Sequence, residues 1–277
     1  MTSEVTVRWL GTNAWELKGN GKTVLVDPWV TRFRTGATKE SDWDRDARLE
    51  IDETAVDEHI GEADSVLITH GHWDHIADLP YVAPKTGATV LGTETHLNLL
   101  RAQDVPGEQL AEVGGGELYQ FDGYTVEVFR ASHNAGGKHK TILFSGMRPG
   151  RVPKRPKTIS DLVEGGSLAY LVTFGDVSLF FGGTSAFHER EIEGVRPTVL
   201  FLQTPSPNYP RPVERILAAT GYPPYVVPTH WDDYEEPLTE PAVDWLGGHA
   251  LGDRVAEASP ESEFVLLDHL ESATFGG

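Results

Sequence analysis

Apolar residues run along this chain in short blocks, and the spacing within each block points to an element. VTVRWL (5–10) alternates apolar and polar positions as a half-buried strand does, GTNAWELKGN (11–20) reads as turn, and GKTVLVDPW (21–29) is a β-branched run ending at Asp27-Pro28. From Val30 to about Glu62 the periodicity gives way to charge, until DETAVDEHI (52–60) offers a short helix with Asp52 near its N-cap. SVLIT (65–69) and ATVLGT (88–93) are compact strands, ETHLNLLRAQ (94–103) is a helix, and YTVEVFRAS (124–132) alternates again before His133. SLAYLVTF (167–174) and VSLFFGG (177–183) form a hairpin about Gly175-Asp176. PTVLFLQ (197–203) is a strand, VERILAAT (213–220) a helix, and PYVVPTH (224–230) a strand ending at His230. A strand-rich meander followed by strand-helix units occurs twice, which predicts an α/β fold of two sheets covered by helices.

Residues 136–166 interrupt this order. They hold much of the chain's Gly, Pro and positive charge and read as a long irregular insertion, because a strand pair follows at once. A length of 277 residues suits one layered α/β unit, so residues 1–277 are expected to form a single domain carrying that insertion.

Charge and composition narrow the partners. Acidic residues outnumber basic ones 42 to 23, a formal net charge of -19, which works against nucleic acid and anionic membranes and makes a divalent cation a natural partner. Cysteine is absent, so disulfides, thiolate zinc sites and cysteine nucleophiles are excluded, and a metal must be held by His and carboxylates. The opening MTSEVTVRWL lacks a basic stretch followed by an apolar one, and no long uncharged apolar run occurs. A cytoplasmic protein with no signal peptide or membrane span is expected.

Chemistry concentrates in THGHWDH (69–75). His70 and His72 stand two apart, with Asp74 and His75 directly after. If the chain leaves a strand at Thr69 and enters a helix near Asp74, all four side chains converge. Neutral imidazoles and a carboxylate suit borderline divalent metals, zinc above all. Histidines this crowded would repel one another if protonated, and a metal keeps them deprotonated. Three histidines and an aspartate within six residues are hard to account for as ordinary loop polarity.

His70-Gly-His72-Trp-Asp74-His75 resembles the HxHxDH signature of the metallo-β-lactamase superfamily, and GKTVLVDP is similar to that family's early strand ending in Asp. His133 in RASHN and His230 in VPTHWDD are similar to its two later histidines, so the resemblance spans nearly the whole chain. PTHWDD is more like the lactonase-like and phosphodiesterase-like branch than true β-lactamases. The resemblance implies a four-layer αββα sandwich with metals at the edge of the two sheets. His70, His72 and His133 would form the first metal site, and Asp74, His75 and His230 the second. It also implies a zinc hydrolase, with hydroxide delivered to a small ester, lactone, amide or phosphodiester and Asp74 holding metal and orienting the water. One position departs from the pattern. The family carries a bridging aspartate after a glycine, and the matching stretch LFFGGTSAF has Gly183 there. Asp176 lies in the hairpin turn at the other end of that strand. Without the bridge the second cation should be held more weakly, so one or two zinc ions are expected; Asp232, Asp233 and His188 are candidate substitutes, but a solvated loop charge is the first reading of each. The glycine itself could be natural or engineered.

Lys138, His139, Lys140, Arg148, Arg151, Lys154, Arg155 and Lys157 make the insertion basic in an acidic protein. They could draw an anionic small-molecule substrate, or simply be a solvated loop or subunit contact. Ser132 and Ser185 lie near the ligands without further sign of a nucleophile. Trp73 and Trp231 adjoin ligands and either wall an apolar pocket or pack beneath the site, and Trp15, Trp29 and Trp43 fall in or beside expected loops. A catalytically weak metal-binding protein of the same fold is the alternative from another class. A superfamily nuclease fits poorly with the net charge, and an iron-dependent redox member has no flavin partner domain to support it.

Overall fold

Alternation in the first block buries Val5, Val7 and Trp9 while Thr6 and Arg8 face outward, and this half-buried strand seeds the first sheet in a computed structural model of the chain. The structure describes residues 3–39, 42–136, 139–184, 186–206 and 208–276. In chain order its regular elements are β1 (Glu4–Trp9), β2 (Trp15–Gly19), β3 (Lys22–Val26), α1 (Glu53–His59), β4 (Ser65–Leu67), α2 (Trp73–Ile76), α3 (Leu79–Thr86), β5 (Thr89–Gly92), α4 (Glu94–Arg101), β6 (Leu110–Glu112), β7 (Leu118–Phe121) and β8 (Tyr124–Ala131). The second half contributes β9 (Ser167–Phe174), β10 (Val177–Phe181), β11 (Val199–Gln203), α5 (Pro212–Ala219), β12 (Tyr225–Thr229), α6 (Gly248–Ala258), β13 (Glu263–Phe264) and β14 (Ser272–Gly276).

Among the described residues the strands form two seven-stranded sheets, ordered β14-β1-β2-β3-β4-β5-β6 and β13-β12-β11-β10-β9-β8-β7. Each sheet begins as an antiparallel meander and continues as parallel strands joined through helices. Apolar side chains fill three separate layers. Val7, Leu17, Leu67, Tyr170, Phe181 and Phe201 lie between the sheets. Val66, Ile68 and Val90 pack outward on Val56, Val82 and Leu97 of the first helices. Phe180, Leu200 and Val226 pack on Ile216, Leu217 and Val255 of α5 and α6. Strands such as SVLIT are therefore apolar on both faces, because each is covered by the other sheet and by helices. This is the αββα sandwich.

One expectation fails. GTNAWELKGN is not all turn: Trp15–Gly19 is β2, pairing Trp15 with Trp9 on one side and Val26 on the other. Its outward positions are charged, with Glu16 bonded to Lys18 and near Arg8, so the short alternation was hidden between Gly and Asn. Asp52 does cap α1, accepting from Thr54 N and Ala55 N at 3.0 and 3.1 Å. Within 136–166 the described residues contain one short 3-10 turn, Ile159–Asp161, and no strand. Among the described residues, no helix is long and apolar enough to cross a membrane.

Phe201 stacks on Phe181 at 4.1 Å between ring centroids and meets Trp15 edge-on at 4.6 Å. Phe201→Ala opens a cavity between the sheets and should cost about 4 kcal/mol of stability, read as a lower urea midpoint at unchanged slope.

Candidate metal centre

Parallel register brings the carboxyl ends of several strands to one edge. Val26 pairs with Leu67, so Asp27 and Thr69 leave the first sheet together; Gln203 pairs with Thr229, so Thr204 and His230 leave the second together. After Thr69 the chain passes His70 and Gly71 and enters α2, with His72 as N-cap and Asp74 and His75 inside its single turn. Gly71 is needed for that path, because a Cβ there would lie 2.3 Å from the Val163 carbonyl oxygen. His133 follows β8, and His230 stands at the end of β12 with φ of +54°, held by its N–H to the Thr12 carbonyl at 2.8 Å.

All six sequence-derived candidates converge, in two groups. The ligand-capable atoms of His70, His72 and His133 lie within 4.8 Å of one another, and so do those of Asp74, His75 and His230. The rings of His70 and His75 are 3.8 Å apart between centroids, so the groups adjoin. The outer nitrogens are already engaged: His72 Nε2 donates to the Leu143 carbonyl at 2.8 Å and His133 Nδ1 to that of Asn134 at 2.8 Å. His75 Nδ1 donates to Asp27 Oδ2 at 2.7 Å. These bonds fix each ring and turn its other nitrogen inward, as metal-ligating histidines require. His75 Nε2 is buried, with Asp74 Oδ2 3.4 Å away as its ion-pair partner.

Electrostatics divide the groups. Burial, and then the neighbouring His75, His133 and His72 rings, hold His70 well below the usual histidine range; burial and His133 push His72 down to about 3. Both are neutral and ready to coordinate. Burial opposes charge on His75, yet Asp74 and Asp27 on either side outweigh it and raise it to about 10. Burial likewise opposes charge on Asp74, which the adjacent His75 and His230 hold well below the carboxylate range. A cation at Asp74, His75 and His230 must therefore displace a proton, whereas one at His70, His72 and His133 need not.

The bridging position is closed to side chains. Gly183 has φ of +78°, and a Cβ on it would stand 2.1 Å from the Leu168 carbonyl oxygen, so this glycine is built into the backbone path of the hairpin. Asp176 is in the β9–β10 turn, accepting from Ser3 N at 2.9 Å. Among the described residues, none of the candidate substitutes joins the clusters or lines the cavity. Asp232 is fully buried and accepts from Arg32 Nη2 at 2.8 Å, His269 Nε2 at 3.0 Å and Thr12 N at 3.0 Å; against burial, Arg32 and His269 hold its pKa at about 2. Asp233 accepts from Glu235 N at 3.0 Å, and His188 Nε2 lies 2.6 Å from Ser132 Oγ. Ser132 is thus tied to His188, and Ser185 lies outside the described residues.

A cavity of about 350 Å³ opens over the histidines. Asn134, Thr184, Gln203, Thr204 and Ser206 supply polar lining, and Trp73, Leu143, Tyr234, Trp245 and Leu246 supply apolar and aromatic lining. Burial and then Asp74 hold the Tyr234 phenol well above its usual range, so it stays neutral. Trp231 does not reach this lining: it stacks on Trp9 at 5.0 Å in the layer beneath. Among the described residues no Lys or Arg lines the cavity; Arg155 of the basic insertion pairs instead with Asp104 at 2.5 Å, and Lys138 lies outside the described residues. A larger cleft of about 800 Å³ beside α5 holds none of the clustered histidines. Residues that the sequence reading passed over include Tyr234, Trp245, Leu246, Asn134 and Thr204, which carry no motif. Asp27 stood only as a strand end, and His96, buried with its Nε2 donating to the Glu164 carbonyl at 3.0 Å, sat in a plain helix pattern.

Two packed sheets with histidines and carboxylates gathered along one edge define the metallo-β-lactamase fold. The metallo-β-lactamase fold protein YhfI from Bacillus subtilis superposes with a TM-score of 0.57 over 99% of this chain and 100% of its own, at 11% identity. A novel metallo hydrolase, Igni18, from Ignicoccus hospitalis gives 0.62 over 98% of both chains at 19% identity. A model described as a beta-lactamase superfamily domain matches residues 6–230, and the chain belongs to that family. In sequence it is similar to a UPF0173 metal-dependent hydrolase of Carboxydothermus hydrogenoformans, 25% identical over 94% of this chain and 99% of the relative. It is also similar to one of a Geobacillus species, 32% identical over 52% of this chain and 55% of that protein.

Two variants test this geometry. Gly183→Asp should lower stability by about 3 kcal/mol and leave metal content no higher than in the parent, because φ and the Leu168 carbonyl both reject the side chain; calorimetry and elemental analysis read the two effects. Asp232→Asn leaves the buried Arg32 charge without its partner and should cost about 3 kcal/mol in urea unfolding.

Proposed function

We propose that the chain is a metal-dependent hydrolase, with zinc as its cation and a small ester, lactone, amide or phosphodiester as substrate. The observation that carries this reading is the pair of ligand groups, each closing within 4.8 Å, on the floor of a cavity sized for a small molecule. The names of the relatives, metal-dependent hydrolases, point the same way. His70, His72 and His133 would hold the tighter cation; Asp74, His75 and His230 would hold a weaker second one, since His75 must first give up its proton and Gly183 offers no bridge. Three neutral imidazoles leave a coordination position open, the mark of a catalytic rather than a closed structural site.

A bound divalent cation supplies Lewis acidity, polarising a carbonyl or phosphoryl oxygen and lowering the pKa of water toward roughly 7. The protein's own groups do the rest. Asp74 Oδ2, 3.1 Å from His230 Nε2 and 3.4 Å from His75 Nε2, stays ionised and is placed to orient a water. The neutral Tyr234 phenol can donate to a developing oxyanion, and the aromatic wall keeps bulk water from the reacting atoms.

Elemental analysis of protein purified without added metal should find about one zinc per chain, rising toward two on titration. His72→Ala should lose the tight ion and lower ester hydrolysis at least a hundredfold. Protein that takes up no metal after zinc is added would overturn the reading.

A further inference from the structure

The apolar part of the cavity lining has no counterpart in the sequence motif. Trp245 and Leu246 are 38% and 39% exposed, among the large apolar side chains left open to solvent, and both line the cavity over the histidines. They are not loose. Trp245 N and Leu246 N both donate to the Trp231 carbonyl, at 3.0 and 2.9 Å, one residue beyond His230. On the other side, Asp244 accepts from Gly247 N at 2.6 Å and Gly248 N at 2.8 Å, tying the segment to the start of α6. Trp245 meets Tyr234 edge-on at 5.4 Å, and Tyr234 meets His230 edge-on at 5.8 Å, so an aromatic path runs from the ligand group to the rim.

Asn134 and Thr204 also line the cavity, but their Oδ1 and Oγ1 atoms are themselves covered from solvent. Among the described residues the cavity offers no Lys or Arg to receive an anionic group away from the cation.

From this arrangement we infer that the site takes an uncharged ester or amide with an apolar arm. The arm lies along Trp245 and Leu246, and the scissile carbonyl sits over the histidines. The inference rests on the hydrolase reading for its scissile bond, but the wall binds the arm whether or not a cation is present. The volume of about 350 Å³ is enough for such a molecule, at the small end of ligand pockets.

Two measurements test it. First, zinc-loaded protein is assayed on p-nitrophenyl hexanoate and p-nitrophenyl acetate. The hexanoate should have the lower KM, and Trp245→Ala should raise the hexanoate-to-acetate KM ratio about tenfold, with Trp245→Phe restoring most of it. Second, metal-free protein is titrated calorimetrically with N-hexylacetamide and with hexanoate. Parent protein should bind the amide and not the carboxylate, and Trp245→Ala should lose the binding. No preference for the longer ester, an unmoved ratio in Trp245→Ala, or equal binding of hexanoate would overturn the inference while leaving hydrolysis intact. Binding of N-hexylacetamide without hydrolysis of either ester would support the wall and overturn the hydrolase reading instead.

Discussion

The site depends on a single buried carboxylate, Asp27. It has no exposed surface, and it accepts from Thr69 N at 2.7 Å, Asn13 Nδ2 at 2.7 Å, His75 Nδ1 at 2.7 Å and the Thr69 hydroxyl. One side chain thus ties the end of β3 to the end of β4, to the turn before β2 and to α2. A buried charge is tolerated only when its lone pairs are filled, and here every donor comes from an element that positions a ligand. Asp27 itself has φ of +42°, a conformation non-glycine residues adopt at a cost of order 1–3 kcal/mol, so the surrounding bonds over-determine it. His230, with φ of +54°, is held the same way from the opposite sheet by Thr12 and by the Asp232–Arg32–His269 cluster directly behind it.

Sheet register turns these local bonds into a shared centre. Each half of the chain runs a meander into parallel strands, and parallel strands deliver their carboxyl ends to the same side. Ligands of open α/β sheets gather at such ends because the backbone there leaves the ladder and frees its side chains. Each group closes because the two sheets pack face to face, bringing His133 and His230 from the second sheet to the segment after β4, with Phe181, Phe201 and Trp15 between the sheets.

How much of this was legible in the chain follows from the range of the interactions. Elements governed by local periodicity, such as SVLIT, YTVEVFRAS and the hairpin about Gly175-Asp176, could be read directly, since burial on one or two faces writes itself into alternation or continuous apolar runs. Asp52 was readable as a cap because capping is a matter of neighbouring residues. β2 was not, because its outward charges and flanking Gly and Asn outweigh a five-residue alternation, and its strand state is imposed by β1 and β3 on either side. The ligand candidates stood out because their spacing is chemical. The residues that shape the cavity did not: Tyr234, Trp245, Asn134 and Thr204 gain their role only when distant segments meet, and nothing in their neighbours announces it.

Gly183 joins these scales. Read alone, a glycine at the bridging position is equally an accident, an engineered change or a sign of lost function. In this backbone, φ of +78° and the Leu168 carbonyl 2.1 Å from an ideal Cβ leave no room for a side chain. If two cations are held, the lack of a carboxylate between them would raise their mutual repulsion, and among the described residues Asp232, Asp233 and His188 do not line the site to replace it. On the proposed reading a first cation would go to the neutral group, His70, His72 and His133, where no proton would have to be displaced. The second group keeps Asp74 charged between His75 and His230, a carboxylate poised beside the first group even when no second cation is present.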